Sequence, residues 1–345
     1  MPPRGNPPPR KNPPAEPLRP GQFEYEFGIP FAGVIAEPAR WTRTALHPVP
    51  PGHLDWRALF GRDAPVVLDI GCGNGRSTLH SAVQHPECDH LAIDTLPVVI
   101  RYATRRANQR GLANVRCAVI GGRELLASHI APHSVSAIHI FHPQPFDDPG
   151  TSHRRLLTPE FLGLAFRALI PGGRLVLQTD HSGYWSYLQG VLPQLFDWQP
   201  RNNPWPEAPK GMTRREIMAT ARKLPIYRGE GTARTDLTDA EVANTVASLP
   251  PAEFPTDRRS RELDREEAGQ GARGGSSRGA GRGAGKGNRP GKHSGSRPGK
   301  HSGNRPGTHP GSGQPRSQGS PPRRSQGPRR PPRPEGPSTG SPPQD

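Results

Sequence analysis

The stretch Pro65-Val66-Val67-Leu68-Asp69-Ile70-Gly71-Cys72-Gly73-Asn74-Gly75 decides the fold of this chain. It begins as a continuous apolar run and ends in three glycines spaced two residues apart. Such a run is typical of a strand that is buried on both faces of a parallel sheet. Glycines directly after it let the backbone turn sharply and approach a ligand closely. The stretch therefore predicts a buried strand, a ligand-binding turn and a following helix.

Strand-like and helical patterns alternate after this point. Four further apolar runs occupy residues 90–94, 115–120, 135–141 and 174–180. Between them, one helical pattern stops at Gly111, and another begins with Thr158 as its N-cap and Pro159 in its first turn. This alternation predicts an α/β protein with a doubly wound parallel sheet and right-handed crossovers. Ligands of such sheets bind at the carboxyl ends of the strands.

Composition divides the chain into three parts. Residues 1–21 hold nine prolines and predict a disordered proline-rich arm. Residues 22–250 carry the strand and helix patterns and predict one domain. Residues 251–345 predict a disordered basic tail rich in glycine, proline and arginine, because residues 268–345 lack every large apolar residue and hold 15 Lys+Arg against 2 acids. Most of the formal net charge of +16 lies there, which favours an anionic partner such as RNA.

Other residue patterns predict where the protein works and what it lacks. The three cysteines, Cys72, Cys88 and Cys117, have no C-x-x-C spacing and indicate a reducing, cytoplasmic location. No apolar run reaches 18 residues, so we expect no membrane association. His139 and His142 flank the end of the fourth strand without a second ligand cluster, so we expect no metal site.

The glycine cluster distinguishes between two cofactor classes. A dinucleotide fingerprint requires G-x-G-x-x-G, but Arg76 stands where the third glycine belongs. The pattern D-x-G-x-G, from Asp69 to Gly73, resembles motif I of the S-adenosylmethionine-dependent methyltransferases of class I. Asp94 ends the second strand, where an acid can accept hydrogen bonds from both ribose hydroxyls. A Rossmann-like methyltransferase domain is therefore expected, with Asp69, Gly71, Gly73, Asp94 and Gly121 at the S-adenosylmethionine.

Later segments narrow the resemblance to one family. Phe141-His142-Pro143-Gln144-Pro145-Phe146 resembles the F-P-D-P-W segment of the bacterial tRNA (guanine-N7-)-methyltransferases, and residues 154–161 resemble their R-R-x-x-x-P-x-F. Thr179-Asp180 with Tyr184, and residues 213–216, match the family's T-D-x-x-x-Y and T-x-x-E. The resemblance covers about residues 54–230. It implies that Asp180 and the segment from Thr213 to Glu216 contact the target guanosine of a tRNA, and that Arg154 lies on the RNA path.

The chain departs from this family at three places. Gln144 replaces the acid of F-P-D-P-W, which is the family's active-site residue, and Gly121-Gly122 replace a usual Asp-Ala. Asp147 and Asp148 stand in a loop that is usually rich in lysine. Guanine N7 already presents a lone pair, so attack needs no base, and Gln144 still offers one carbonyl acceptor to the guanine edge. A slower enzyme, or a different base, is expected.

Three functions remain open at this point. The first is methyl transfer from S-adenosylmethionine to N7 of a guanosine in tRNA, with the basic tail raising the affinity for RNA. The second is a catalytically idle RNA-binding protein on a methyltransferase fold, which Gln144 and Gly121 favour. The third is a methyltransferase for another RNA or a small molecule. The first is preferred because Asp69, Asp94, Asp180, Thr213 and Glu216 are all retained.

Overall fold

The computed structural model describes residues 17–275, with side chains described for residues 17–267. The proline-rich arm up to residue 16 and the tail from residue 276 lie outside the described residues. Within residues 17–275 the strands are β1 (Tyr25–Glu26), β2 (Ile29–Pro30), β3 (Val66–Ile70), β4 (Asp89–Asp94), β5 (Val115–Val119), β6 (Val135–Phe141), β7 (Leu169–Thr179), β8 (Phe196–Arg201) and β9 (Tyr227–Ala233). The nine α-helices in this part of the chain are α1 (Trp56–Phe60), α2 (Arg76–Gln84), α3 (Pro97–Gln109), α4 (Gly122–Ser128), α5 (Pro159–Ala168), α6 (Ser182–Val191), α7 (Arg214–Ala221), α8 (Asp239–Ser248) and α9 (Arg258–Gly275).

Seven strands form one sheet in the order β5-β4-β3-β6-β7-β9-β8. The first five of these are parallel, and they are the five strands that the apolar runs predict. The chain winds outward from β3 in both directions, so the strand order reverses between β3 and β6. The predicted doubly wound α/β fold is confirmed, and it places the glycine turn at the switch point where such sheets bind ligands.

The last two strands of the sheet were not predicted: β9 runs antiparallel to β7, and β8 runs antiparallel to β9. In β8, apolar and polar residues alternate only from Phe196 to Gln199 before Pro200 interrupts the pattern, and in β9 Gly229 and Gly231 occupy alternating positions. The two glycines accommodate the ring of Trp198 on the neighbouring strand, because a Cβ at Gly229 would lie 2.3 Å from Trp198 Cζ2. A cross-strand aromatic contact therefore stabilises a pair of strands that their own residues favour only weakly.

Apolar side chains cover both faces of the sheet. On one face, Leu68 and Ile138 pack with Phe161 of α5 and Tyr184 of α6 in the larger core cluster. On the other, Ala92 packs with residues of α2 and α3. Burial of each large apolar side chain contributes roughly 1.5–3 kcal/mol. Among the described residues, no helix has both the length and the apolar content needed to cross a lipid bilayer.

The chain before α1 packs against the β5 edge and α3. Leu46 donates its N–H to the carbonyl of Cys117, and Cys117 donates back to Thr44, so the edge of β5 is covered. Phe31 is buried with the guanidinium carbons of Arg76 and Arg106 at 4.5 and 4.1 Å from its ring centre. These contacts fix the β1–β2 hairpin against α2 and α3.

The ordered fold extends past the predicted boundary at residue 250. Phe254 stacks on Tyr184 with ring centres 4.6 Å apart, and α9 buries Leu263 and Ser260. Ion pairs with α7 hold this helix, including one of 2.7 Å between Arg215 and Asp264. Because Leu263 is the one buried apolar residue of α9 among those with described side chains, the segment shows no apolar periodicity in the sequence.

Candidate active site

A cavity of about 930 Å³ opens at the carboxyl ends of the parallel strands. Its wall combines the glycine turn after β3, the end of β4, the segment after β6 and the beginning of α7. Of the predicted cofactor residues, Gly71, Gly73 and Asp94 line this cavity, and of the predicted catalytic and substrate residues, Gln144, Arg154, Asp180 and Thr213 do. Asp69, Gly121 and Glu216 lie outside its lining.

The glycine turn has the backbone that its sequence predicts. Gly71, Gly73 and Gly75 have φ angles of 80°, 54° and 82°, a region that side chains disfavour. At Gly75 an added Cβ would lie 2.7 Å from Cβ of Ala103, so α2 and α3 pack closely only with glycine there. No atom lies within 4 Å of a Cβ built on Gly71 or Gly73, so the turn leaves open space above its backbone.

Asp94 lies at the end of β4 and lines the cavity. Its two carboxylate oxygens accept hydrogen bonds from the backbone N–H groups of Gly73, at 3.1 Å, and Leu96, at 2.9 Å. Burial raises the pKa of this carboxyl, while these backbone hydrogen bonds lower it. A carboxylate has about four acceptor positions, so Asp94 retains acceptors for further donors, as its predicted role requires.

Asp69 has a different place from Asp94. It is buried and does not line the cavity; its Oδ2 accepts hydrogen bonds of 2.6 Å from the hydroxyls of Ser77 and Thr78. Burial raises its pKa. The observed contacts make Asp69 an anchor that holds the start of α2 to β3, and its predicted contact with a cofactor stays a prediction.

The Gly121-Gly122 pair forms the start of α4. Gly121 is the N-cap residue and does not line the cavity, whereas Gly122 does. A Cβ on Gly122 would lie 2.6 Å from Cγ2 of Ile70, so the helix approaches β3 more closely than a side chain would allow. The predicted cofactor contact at Gly121 therefore stays a prediction, with Gly122 nearer to the cavity.

Gln144 lines the cavity at the segment that follows β6. The residues His142 and Phe146 on either side have positive φ angles of 53° and 46°, which are costly for such side chains. The Gln144 side chain is exposed and makes no hydrogen bond to another residue in the described part of the chain. Its amide is therefore available to a ligand in the cavity.

Asp180 also lines the cavity, but other residues of the protein already occupy its oxygens. Oδ1 accepts from Nδ1 of His142 at 2.8 Å, and Oδ2 accepts from Nη2 of Arg215 at 2.8 Å and from the hydroxyl of Ser260 at 3.2 Å. Burial raises the pKa of this carboxyl, but the hydrogen bonds and charges of His142 and Arg215 outweigh burial and hold it well below its usual value.

A chain of hydrogen bonds fixes His142. The side-chain oxygen Oε1 of Gln178 accepts hydrogen bonds from Nε1 of Trp205 at 2.6 Å and from Nε of Arg228 at 3.1 Å. The Gln178 amide nitrogen must then donate to Nε2 of His142, at 2.8 Å. Nδ1 of His142 donates its hydrogen bond to Asp180.

The remaining predicted substrate residues divide between the cavity and the core. Arg154 is exposed, lines the cavity and lies with its guanidinium carbon 4.8 Å from the ring centre of Phe146. Thr213 lines the cavity and caps α7. Glu216 is buried outside the lining, where it accepts from the backbone of Met212 at 2.7 Å and pairs with Arg228. It stabilises the start of α7, and its predicted contact with the substrate stays a prediction.

Three segments outside the predicted motifs also reach the cavity, and one of them is α3, which contributes Val98, Val99, Tyr102 and Arg106. The β1–β2 hairpin contributes Glu26, and α9 contributes Ser260, Asp264 and Glu267. Arg215 bridges Asp180 to the two α9 acids. The clearest sequence signal for α9 is Asp257 before the helix, which accepts from the backbone of residues 259 and 260 in an N-cap pattern.

The cysteines and histidines add no second chemistry in the described region. All three cysteines are free thiols, and burial raises the pKa of Cys117 to about 11 and that of Cys72 well above its usual value. Among residues 17–267, no group of three His, Cys, Asp or Glu side chains is placed to hold a metal ion.

Several known proteins have a sequence similar to that of this chain. A family profile described as "Putative methyltransferase" matches residues 63–229. The tRNA (guanine-N(7)-)-methyltransferase of Alkalilimnicola ehrlichii is 34% identical over 172 residues, which are 50% of this chain and 73% of the relative. The chain belongs to the tRNA (guanine-N(7)-)-methyltransferase family.

Two further members of the tRNA (guanine-N(7)-)-methyltransferase family are matched over a shorter part of their length. That of Paenarthrobacter aurescens is 35% identical over 46% of this chain and 52% of the relative. That of Mycobacterium avium is 38% identical over 42% of this chain and 55% of the relative. The chain thus spans about half the length of these two relatives.

The cofactor of this methyltransferase family is S-adenosylmethionine, and the residues at the glycine turn fit it. Asp94 retains acceptors that suit the ribose hydroxyls, and the open space above Gly71 and Gly73 suits a ligand lying against the backbone. The apolar side chains of Leu96 and Ile120 line the same part of the wall. Gly121 and Gly122 carry no carboxylate themselves, but Oε2 of Glu124 lies 4.0 Å from a Cβ built on Gly121.

Proposed function

We propose that this protein transfers the methyl group of S-adenosylmethionine to N7 of a guanosine in tRNA. The observation that carries the proposal is the single cavity in which Asp94 and the glycine turn lie together with Gln144, Asp180 and Thr213. One end of that cavity suits the cofactor, and the other presents polar groups that suit the edge of a base. The similarity to tRNA (guanine-N(7)-)-methyltransferases supports the same reaction.

The reaction makes few demands on the side chains. When bound, S-adenosylmethionine supplies a methyl group on a positively charged sulfonium. Guanine N7 presents an in-plane lone pair, so no proton has to leave before attack, and the chain needs no general base. Its residues contribute by aligning the base and excluding water.

Gln144 is the residue best placed to hold the guanine. Its free carbonyl can accept a hydrogen bond from guanine N1–H or from the amino group. As methylation proceeds, positive charge develops on the ring, and a neutral amide stabilises that charge less than a carboxylate would. A slower reaction than in family members with an acid at this position is the expected consequence.

The hydrogen-bond partners of Asp180 fix its carboxylate beside the proposed guanine site. His142 and Arg215 hold its carboxylate rigidly beside the segment that carries Gln144. An incoming guanosine has to exchange with one of these partners to reach the oxygens, and the hydroxyl of Ser260 is the neutral, weaker one.

We further propose which parts of the chain bind the tRNA, how the chain divides into a domain and a tail, and where in the cell it works. Arg154, exposed at the rim, suits a phosphate of the tRNA backbone, and the basic tail adds affinity for RNA. A folded domain that includes α9, followed by this tail, is the division we propose for the chain, and a tRNA substrate together with free thiols favours the cytoplasm.

The reaction is tested by its product. Purified protein is incubated with bulk tRNA and isotopically labelled S-adenosylmethionine, and the nucleosides are separated and identified by mass spectrometry. Label in 7-methylguanosine supports the proposal. Label in another nucleoside means a different base or position is methylated.

The rival function, an RNA-binding protein without catalysis, rests on the full occupation of Asp180 and on the neutral Gln144. It predicts that tRNA binds while no nucleoside becomes labelled. The same incubation, combined with a tRNA-binding measurement, separates the two functions.

A further inference from the structure

The tip of the β1–β2 hairpin carries an unusual residue. Tyr25 pairs with Pro30 and Glu26 with Ile29, so Phe27-Gly28 form a two-residue turn. Both turn residues have positive φ, 52° for Phe27 and 76° for Gly28, the pattern of a type I′ turn. Asparagine, aspartate or glycine are preferred at the first position of this turn, whereas phenylalanine is disfavoured. Phe27 is nevertheless 51% exposed, so burial does not explain its presence.

The hairpin is fixed at the rim of the cavity. Glu26 accepts hydrogen bonds from the side-chain amide of Asn74, at 3.1 Å, and from Arg214, at 2.6 Å. Asn74 belongs to the glycine turn, and Arg214 to the α7 segment predicted to meet the target guanosine. Glu26, Asn74 and Arg214 all line the cavity, while Phe27 stands just outside its lining.

The ring of Phe27 pairs with Arg214. The guanidinium carbon lies 4.8 Å from the ring centre. An aromatic ring beside an arginine is a surface on which an unpaired nucleobase stacks, with the cation close to the neighbouring phosphate. On the same rim, Tyr102 is 43% exposed with the guanidinium of Arg105 at 5.8 Å, so a second aromatic ring beside an arginine faces the solvent there. Both arginines also form ion pairs with acids, Arg105 with Glu24 and Arg214 with Glu26.

We propose that Phe27 and Arg214 form a stacking platform for an unpaired nucleobase of the RNA, next to the base that enters the cavity. This inference rests on the proposed function for the identity of the substrate as RNA. A residue that keeps a costly backbone conformation while its ring is exposed to solvent indicates a role in binding rather than in stabilising the fold.

The conformation of Phe27 supplies a sharp test. Phe27→Gly removes the ring and suits the positive φ, so the unfolding temperature should stay the same or rise. Removal of one stacked base typically weakens binding by about 5- to 100-fold, so the dissociation constant for tRNA at fixed salt should rise within that range. Phe27→Trp should retain the wild-type affinity. Cofactor binding, measured by calorimetry, should be unchanged in all variants.

Trp41→Ala is the matched control. Trp41 is 44% exposed, and the next residue is bonded to Asn108 at the far end of α3, away from the strand ends that form the cavity. Its replacement should leave tRNA affinity unchanged. An equal drop in affinity with Trp41→Ala, or tRNA affinity within twofold of wild type for Phe27→Gly, overturns the platform.

Direct binding separates this inference from the proposed function. If tRNA binding depends on Phe27 but no 7-methylguanosine forms, the platform stands and methyl transfer to guanosine fails. If 7-methylguanosine forms and Phe27→Gly binds tRNA as wild type does, the reaction stands and the platform fails. A wild-type protein that neither binds nor methylates tRNA overturns both.

Discussion

Gln144 places an uncharged amide where the family carries an acid, and this difference can be reversed by one substitution. Gln144→Asp should increase the methylation rate of tRNA roughly tenfold or more, since a charge-assisted contact with the guanine edge contributes about 1–3 kcal/mol. Gln144→Asn shortens the side chain in the same way without adding charge and is the control. Both rates are measured with the nucleoside product identified.

The outcome at Gln144 distinguishes an adapted site from a degenerate one. A fall in an existing activity with Gln144→Asp would mean that the amide itself contacts the substrate. Activity absent in wild type and in both variants would favour the RNA-binding protein without catalysis.

Asp94 and Asp69 have similar sequence contexts but different contacts, and their variants should behave differently. Asp94→Ala should weaken S-adenosylmethionine binding by about 1–3 kcal/mol, since it removes hydrogen bonds to a charged acceptor. Asp69→Ala should chiefly lower the unfolding temperature, because its Oδ2 holds the hydroxyls of Ser77 and Thr78. Calorimetry and thermal unfolding measure the two effects. A larger drop in affinity with Asp69→Ala would show that Asp69 does contact the cofactor.

His139 should make stability depend on pH. Burial lowers its pKa to about 3, so the unfolded chain takes up this proton more readily than the folded one. The free energy of unfolding that His139 contributes is fully present above the usual histidine pKa of about 6.5. It is lost as pH falls toward 3, by up to about 1.4 kcal/mol per pH unit. His139→Gln should flatten the unfolding free energy between pH 4 and 6.5. The exposed His153→Gln should not, and an unchanged slope in His139→Gln contradicts the assignment.

Among the elements, α9 is the one whose removal tests the extent of the domain. Deleting residues 258–345 exposes Met218 and Ala219, which pack with Leu263, and takes Asp264 from Arg215. The unfolding temperature should fall, since burial of one leucine alone contributes roughly 1.5–3 kcal/mol. Deleting only residues 276–345 is the control and should leave it unchanged. Equal unfolding temperatures for the two truncations would mean that α9 adds no stability.

The elements also show what sequence could and could not predict. The five parallel strands are buried on both faces, so each is a continuous apolar run that stands out in the sequence. Strands β8 and β9 depend on Trp198 lying across Gly229 and Gly231, a contact between residues about thirty positions apart. Helix α9 depends on ion pairs with α7. Neither kind of contact leaves a local pattern.

The same distinction applies to the site. Asp94, Gln144 and Asp180 follow parallel strands, whose ends converge on the cavity. Thr213 was placed by its motif and lines the cavity from the start of α7. The motif did not show that Glu216 is buried outside the cavity, since the capping pattern of a helix also favours an acid at that position. The residues contributed by the β1–β2 hairpin and α9 come from outside the motifs and are brought in by tertiary packing.

At the scale of the whole molecule, charge is concentrated at one end of the chain. Residues 276–345 hold 14 Lys+Arg against 2 acids. Deleting them should weaken tRNA binding and reduce the dependence of log affinity on log salt by about 0.7 for each single-stranded phosphate that the protein no longer neutralises. The rate of a single turnover at saturating tRNA should stay nearly unchanged. The same salt dependence with and without this segment would contradict an RNA-binding role for it.

The two backbone hydrogen bonds that Asp94 accepts affect how the protein takes up its cofactor. They hold the glycine turn and the carboxylate in register during folding, so the conformational entropy of the turn is lost before any ligand arrives. Binding to such a preorganised site requires little further ordering. A ligand that binds the folded state alone stabilises it by mass action, in proportion to the logarithm of its concentration above the dissociation constant. The melting temperature of this protein should therefore rise with the concentration of S-adenosylmethionine, and it should continue to rise after the site is saturated.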